Sequence, residues 1–175
     1  SLSSRLTPMR ATAVQEPGGR RMHHFELQDS AQTLAEGISE YYAANPGLAR
    51  RRGMSPEAQR FFRCHDTAHV VFGCSTALDD EAVVKIASIF GTTEGLRVLK
   101  GYRLHESLQI YRQIPVGAAL TTIARSAVIV PRTLLRCVRQ RDRWPWAEFE
   151  QYLGVPLREI RRKFGITVAH GKPTR

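Results

Sequence analysis

His65 and His69 stand four positions apart in the run His65-Asp66-Thr67-Ala68-His69, and Glu81 follows twelve positions after the second. Four-residue spacing sets both imidazoles on one face of a helix, one turn apart. Asp66, three before His69, flanks that face. Glu81 falls where a further helix should begin. Only antiparallel packing of the two helices returns its carboxylate to the histidine pair. The run therefore predicts a helical hairpin in which three or four nitrogen and oxygen ligands converge, a set that suits a hard or borderline divalent metal.

The surrounding pattern is helical. Ser55 is a good N-cap, Pro56 fills a first position that needs no amide donor, and Glu57 complements the helix dipole. The helix they open is expected to run to Phe72 and end at Gly73. Phe61, His65, Ala68 and Phe72 share one face, with Phe62 and His69 beside it, so this helix packs. Ser75 to Asp80 reads as the turn, with Asp79 and Asp80 capping a helix from Glu81 to about Leu99. Gly91 and Gly95 inside it suggest close helix contact or room for a ligand.

An earlier helix is predicted over 29–44, capped by Asp29 or Ser30 and ended by Asn45-Pro46-Gly47. His105 and Glu106 are expected to make a local polar pair, and Tyr102 and Tyr111 to be core or rim aromatics. Val116 to Cys137 is a long apolar stretch in which Pro131 should kink or end the helix. Trp144-Pro145-Trp146 marks a turn. A short helix over 147–153 and a last one over 157–164 follow, with Arg158, Arg161 and Arg162 covering the surface of the last. No strand alternation appears. The chain thus reads as an all-α, single-domain helical bundle: a flexible tail over 1–24, in which His23 and His24 have no metal role, a helical domain over 25–166, and a C-terminal tail over 167–175.

A chain of 175 residues supports one sizeable core. No apolar run approaches the roughly 18 residues of a membrane span, and Ser1 to Arg21 lacks a signal peptide's apolar centre. The formal net charge of +10 is concentrated at Arg132, Arg136, Arg139, Arg141 and Arg143, and again at Arg158, Arg161, Arg162 and Lys163. Such clusters suit a solvated face or anionic lipid headgroups. Without a Cys/His finger or a basic strand interleaved with aromatics, nucleic acid is an unlikely partner. Cys64, Cys74 and Cys137 are too few and too loosely spaced for a disulfide framework and read as small buried hydrophobes.

Taken together, His65-Asp66-x2-His69-x11-Glu81, the Val70 and Gly73 that follow the second histidine, and Glu81-Ala82-Val83-Val84-Lys85 resemble the coenzyme Q biosynthesis protein 4 family. The Trp146 region and the run from Pro156 to Ile166 are similar to that family's closing segment. The resemblance covers roughly residues 25–166 and suits a divergent bacterial member.

It implies a helical bundle with an apolar pocket between helices, and a metal-dependent role in ubiquinone biosynthesis. It implies zinc by family habit, with iron or another redox-active ion as the alternative for oxidative chemistry. Metal binding, and catalysis with it, would fall to His65, Asp66, His69 and Glu81. Of these, His65, His69 and Glu81 are read as ligands, and Asp66 as a ligand or as the group that orients an imidazole. The implied reaction is oxidative decarboxylation at the first ring carbon of a polyprenylated aromatic, a lyase chemistry. A non-catalytic lipid-binding scaffold organising the biosynthetic complex is the alternative. Implied partners are the polyprenyl quinone lipid, an anionic membrane surface and other quinone-biosynthesis proteins. A homodimer is compatible with the apolar surface of so small a bundle. The implied location is cytoplasmic, peripheral to the inner membrane.

Overall fold

Helix α3, Pro56–Phe72, is the element the others are built around. The structure, a computed structural model, describes residues 14–15, 21–49, 54–105 and 116–170, with the backbone alone at 14–15, 21, 49, 103–105 and 116–126. Ser55 Oγ accepts from the Ala58 amide at 3.2 Å, and Pro56 occupies the first turn, as its sequence predicts. Gly73 stops the helix in the left-handed region at φ 65°, where a residue without Cβ carries no steric penalty. The space is also closed: a Cβ on Gly73 would lie 2.7 Å from Val168 Cβ.

The chain then reverses into α4, Leu78–Phe90, which packs against α3. This helix starts three residues earlier than the reading from Glu81 and stops at Gly91, well short of Leu99. Asp79, Asp80 and Glu81 all lie in its first turn, where carboxylates favour the dipole. Neither aspartate is the cap, because Ala77 holds that position and supplies no side-chain bond. Gly91 serves close contact rather than ligand room: its added Cβ would meet Gln140 Oε1 at 2.5 Å. Gly95 adopts φ 60° in a turn before α5, Val98–His105.

Helix α1 spans Leu34–Ala44, shorter than the expected 29–44. Thr33, not Asp29 or Ser30, caps it, in a reciprocal box with Glu36. The preceding residues are drawn elsewhere: Ser30 O and Gln32 O accept from the amides of Arg158 and Leu157. A single turn, α2 over Pro46–Ala49, follows the Asn45 stop. Helix α6, Val116–Val138, lies along α4 and runs through Pro131 without ending there. Residues 147–153 form a 3-10 turn over Phe149–Tyr152 rather than an α-helix. The last helix, α7, spans Leu157–Phe164 and ends at Gly165. The described fold is an all-α single-domain bundle. Its one departure is a two-residue antiparallel ribbon, Val14–Gln15 with Arg21–Met22, inside the stretch read as a tail.

The core gathers Phe25, Leu34, Tyr41, Val70, Val71, Trp144, Leu157, Ile160 and Phe164. Two corrections concern its edges. Arg161 is not on the surface of α7: it is 1% exposed. Its guanidinium donates to Phe25 O at 2.5 Å, Val70 O at 2.8 Å and Val71 O at 3.0 Å, and to Leu27 O. Val70 O also accepts from the Gly73 amide and Leu27 O from the Ser30 amide, and a planar five-donor group can serve these carbonyls together with Phe25 O and Val71 O. Burial lowers its pKa to about 9, so it remains charged at neutral pH. The chain also stays packed past Ile166. Val168 is 1% exposed, the Ala169 amide donates to Phe72 O, and Arg136 Nη1 donates to Ala169 O. Residues 167–170 are thus a docked strap, held because Gly73 leaves the hollow that Val168 fills.

Candidate metal centre

The antiparallel hairpin of α3 and α4 brings Glu81 back to the histidine pair. One ligand atom each from His65, His69 and Glu81 lies within 4.8 Å of the others. Glu81 Oε1 is 3.2 Å from His69 Nε2, and its Oε2 is 4.0 Å from His65 Nε2. Both imidazoles are buried, while the Glu81 side chain is 31% exposed. The cluster therefore has protein on one side and access on the other.

Aromatic rings hold the imidazoles in place. Tyr41 stacks on His69 with centroids 5.2 Å apart, and Tyr102 meets His65 edge-on at 5.5 Å. Lys85 Nζ sits over the Tyr102 ring.

His69 Nδ1 faces two backbone carbonyls, Ser75 O at 3.1 Å and Cys74 O at 3.3 Å. A carbonyl only accepts, so Nδ1 carries a proton, and Nε2 is the ring nitrogen that faces Glu81. A lone pair and a carboxylate oxygen at 3.2 Å repel unless a cation or proton sits between them. Three buried ring nitrogens, His65 Nδ1, His65 Nε2 and His69 Nε2, make no hydrogen bond. Buried polar atoms left this way are costly and need a reason; a divalent ion supplies one. The donor set of two imidazoles and a carboxylate can hold a divalent metal ion.

The electrostatics agree with the geometry. Burial pushes the His65 pKa down, favouring the neutral ring that can ligate. Burial alone would raise the Glu81 carboxyl, but His69, His65 and Lys85 together outweigh it and hold it below its ordinary value.

Asp66 does not join the three. It is 1% exposed and lies on the Nδ1 side of His65, with Oδ1 3.7 Å away, while Oδ2 accepts from Tyr42 Oη at 2.9 Å. At that distance Asp66 makes no hydrogen bond to His65. Cys64 and Cys74 are buried, and burial raises the Cys64 thiol to about 12 and the Cys74 thiol well above its usual value. They are small core residues, as expected, and poor thiolate donors. His105 is described without its side chain, and Glu106 and Tyr111 lie outside the described residues.

Sequence reasoning did not single out Tyr42, Asp80 or His170 for the site. Tyr42 was legible only as part of a helical stripe. Asp80 is the larger surprise. It is 1% exposed, and its Oδ2 takes the Ser75 amide at 2.7 Å and Ser75 Oγ at 2.6 Å. His170 Nε2 meets its Oδ1 at 2.8 Å. A lone histidine ninety residues downstream carries no sequence signal for that contact.

Two surface clefts flank the hairpin. One of about 290 Å³ is lined by Ile38, Tyr42, Leu48, Phe62 and Phe149 among others. One of about 390 Å³ lies between Phe61, Trp146 and the cations Arg60, Arg97 and Lys100. Neither is lined by the three ligand residues. No helix among the described residues is long and apolar enough to cross a membrane. No protein-family model matches the sequence, and no curated protein or solved structure is significantly similar to it.

Proposed function

We propose that this chain is a metal-dependent protein of prenylated quinone biosynthesis, in keeping with its resemblance to the coenzyme Q biosynthesis protein 4 family. The observation that carries the metal part is the facing of His69 Nε2 and the Glu81 carboxylate beside an equally unbonded His65. His65, His69 and Glu81 would hold the ion, with Asp66 behind His65. When bound, a divalent ion at this place would polarise a ring oxygen or carboxylate of the substrate.

The substrate we propose is a polyprenylated aromatic acid that loses its carboxyl group as carbon dioxide at the first ring carbon, one atom of dioxygen entering as hydroxyl and the other leaving as water with two electrons and two protons from an external reductant. Zinc has no redox chemistry, so with zinc the electron-rich ring itself would react with dioxygen; iron would open a metal-centred route. The chain's own part would be to exclude water with Tyr41, Phe61 and Tyr102, to orient His65 through Asp66, and to place the carboxylate of Glu81 at the open side.

The polyprenyl tail would bind in an apolar pocket between helices, each buried methylene contributing about 0.8 kcal/mol. We propose a cytoplasmic protein peripheral to the inner membrane, associated with other quinone-biosynthesis proteins and with a second copy of itself. The exposed Val128, Val130, Leu135 and Val138 of α6, interleaved with exposed Arg132 and Arg139, support contact with anionic lipid.

The experiment is metal analysis with native mass spectrometry on untagged protein, followed by turnover of a prenylated hydroxybenzoate. About one divalent ion per chain, sharply reduced in Glu81→Ala, is expected. Unchanged stoichiometry in Glu81→Ala would remove that residue from the ligand set. Metal and lipid binding without turnover would favour the scaffold.

A further inference from the structure

Helix α3 presents a second face beside the one that carries the imidazoles. Phe62, Arg63 and Thr67 recur there at helical spacing and line the cleft of about 290 Å³. Ile38 and Tyr42 of α1, Leu48 of α2 and Phe149 of the 3-10 turn complete it. We propose that this cleft is a binding site for a small aromatic carboxylate, with the ring among Tyr42, Phe62 and Phe149 and the carboxylate on the Arg63 guanidinium.

The polar groups of the cleft decide the charge of the ligand. Thr67 Oγ1 donates to Arg63 O at 2.8 Å, Gln59 Nε2 to Met54 O at 3.0 Å, and Tyr42 Oη to Asp66 Oδ2 at 2.9 Å. Those donors are committed within the protein. Arg63 differs. Its guanidinium lies over the Phe149 ring, 5.8 Å from the centroid, and it forms no ion pair among the described residues. Arg60, one turn earlier, shows the contrast: it is held by Ala147 O at 2.8 Å and by Glu150 at 3.6 Å. No acidic side chain is among the described residues that line the cleft. One cation in an otherwise apolar space calls for one anionic group, and a guanidinium fork matches the two oxygens of a carboxylate.

The walls decide the rest. Three aromatic rings with Ile38 and Leu48 favour a flat apolar body. The volume is at the small end for ligand pockets, which gives room for one or two fused rings and not for a polyprenyl chain. The site stands apart from the metal centre, since none of the three ligand residues lines it. The two meet at one point only: Tyr42, which lines the cleft, donates to the Asp66 that lies beside His65.

The test titrates the full chain, labelled with nitrogen-15 and stripped of divalent ions, with 2-naphthoate, following affinity by calorimetry and position by amide shifts. One molecule per chain is expected, with the largest shifts around Ile38, Leu48 and Arg63. Binding should be about three- to tenfold tighter than that of 2-naphthalenemethanol, which has the same rings and no charge. Arg63→Gln, an exposed position, should bring 2-naphthoate down to the affinity of the alcohol and leave the alcohol unchanged. Equal binding of acid and alcohol by the wild type would overturn the proposal without any variant, as would full affinity for 2-naphthoate in Arg63→Gln. Acetate binding as tightly as 2-naphthoate would reduce the site to an anion contact, and decanoate binding more tightly would make it a lipid site; either result overturns the aromatic assignment. Binding that appears only after zinc is added would place the acid at the metal centre instead and overturn this site. A protein that takes no zinc yet binds 2-naphthoate through Arg63 would overturn the metal reading and leave this one standing.

Discussion

Tyr42 Oη donates a 2.9 Å hydrogen bond to Asp66 Oδ2, tying α1 to the helix that carries both imidazoles. The acceptor is a buried carboxylate, so the bond matters more than a surface contact would. Tyr42→Phe should destabilise the metal-free protein by about 1–2 kcal/mol, read from urea unfolding. Zinc affinity should fall about tenfold, because Asp66 would lose one of the groups that fix it behind His65. Wild-type stability and affinity in Tyr42→Phe would show that the link is incidental.

Proton linkage gives His65 a signature in metal-free protein. Burial holds its folded pKa below the ordinary 6.5. Between that value and the lowered one, the unfolded chain binds a proton that the folded chain does not. Stability is therefore full above about pH 6.5 and declines as the pH falls through the window beneath it. Asp80, held below its usual value by His170 and Ser75 against the effect of burial, adds a further loss only below about pH 4. Unfolding free energies measured from pH 7.5 to 5 should slope downward, and His65→Gln should flatten that slope. An unchanged slope in the variant would assign it to another group.

The chemistry of the hairpin was legible in the sequence because it depends on local spacing. Ser55, Pro56 and Gly73 mark the ends of α3 by their own backbone preferences, and His65 and His69 share a face by the helix repeat alone. The return of Glu81 followed from the shortness of the connection. What failed to show was everything set by distant partners. Arg161 looks like a surface residue because a sequence displays its charge and not the carbonyls awaiting it. Asp80 looks like a cap because its position is right for one, and only the folded loop reveals Ser75 as its target. Thr33 displaced Asp29 and Ser30 as the start of α1 because Ser30 O and Gln32 O are taken by the first amides of α7. The run through Pro131 shows the same thing: packing of α6 along α4 holds a helix that local preference would interrupt.

Arg161 should be among the least replaceable side chains outside the centre. Lysine is shorter in reach and cannot present a planar fork, so Arg161→Lys cannot serve both Phe25 O and Val71 O, whereas Val70 O and Leu27 O keep backbone amide donors. At about 1–3 kcal/mol for a buried group left unsatisfied, the loss should be about 1–3 kcal/mol. Denaturant unfolding of the variant, or its failure to accumulate as folded protein, checks this; a loss under about 1 kcal/mol would contradict the role given to the guanidinium.

Thiol reactivity should rank by burial. Cys137 is partly exposed with its thiol raised to about 11, Cys64 is buried and raised to about 12, and Cys74 is fully enclosed. A disulfide reagent at pH 8 should label Cys137 first and leave Cys74 unmodified until the protein unfolds. Early labelling of Cys74 by peptide mapping would mean that the strap over Gly73 opens readily.

The guanidinium of Arg161 also has a bearing on how the chain is made. Its acceptors lie 90 positions upstream at Val71 and 136 upstream at Phe25. During synthesis those carbonyls leave the ribosome long before their donor does and must stay hydrated in the meantime. The chain ahead of α7, residues 1–156 of 175, can form helices on the ribosome but cannot close the joint between the N-terminal turn and the end of α3. Completion of the fold is thereby deferred until α7 is delivered, and nascent chains halted before it should remain sensitive to protease.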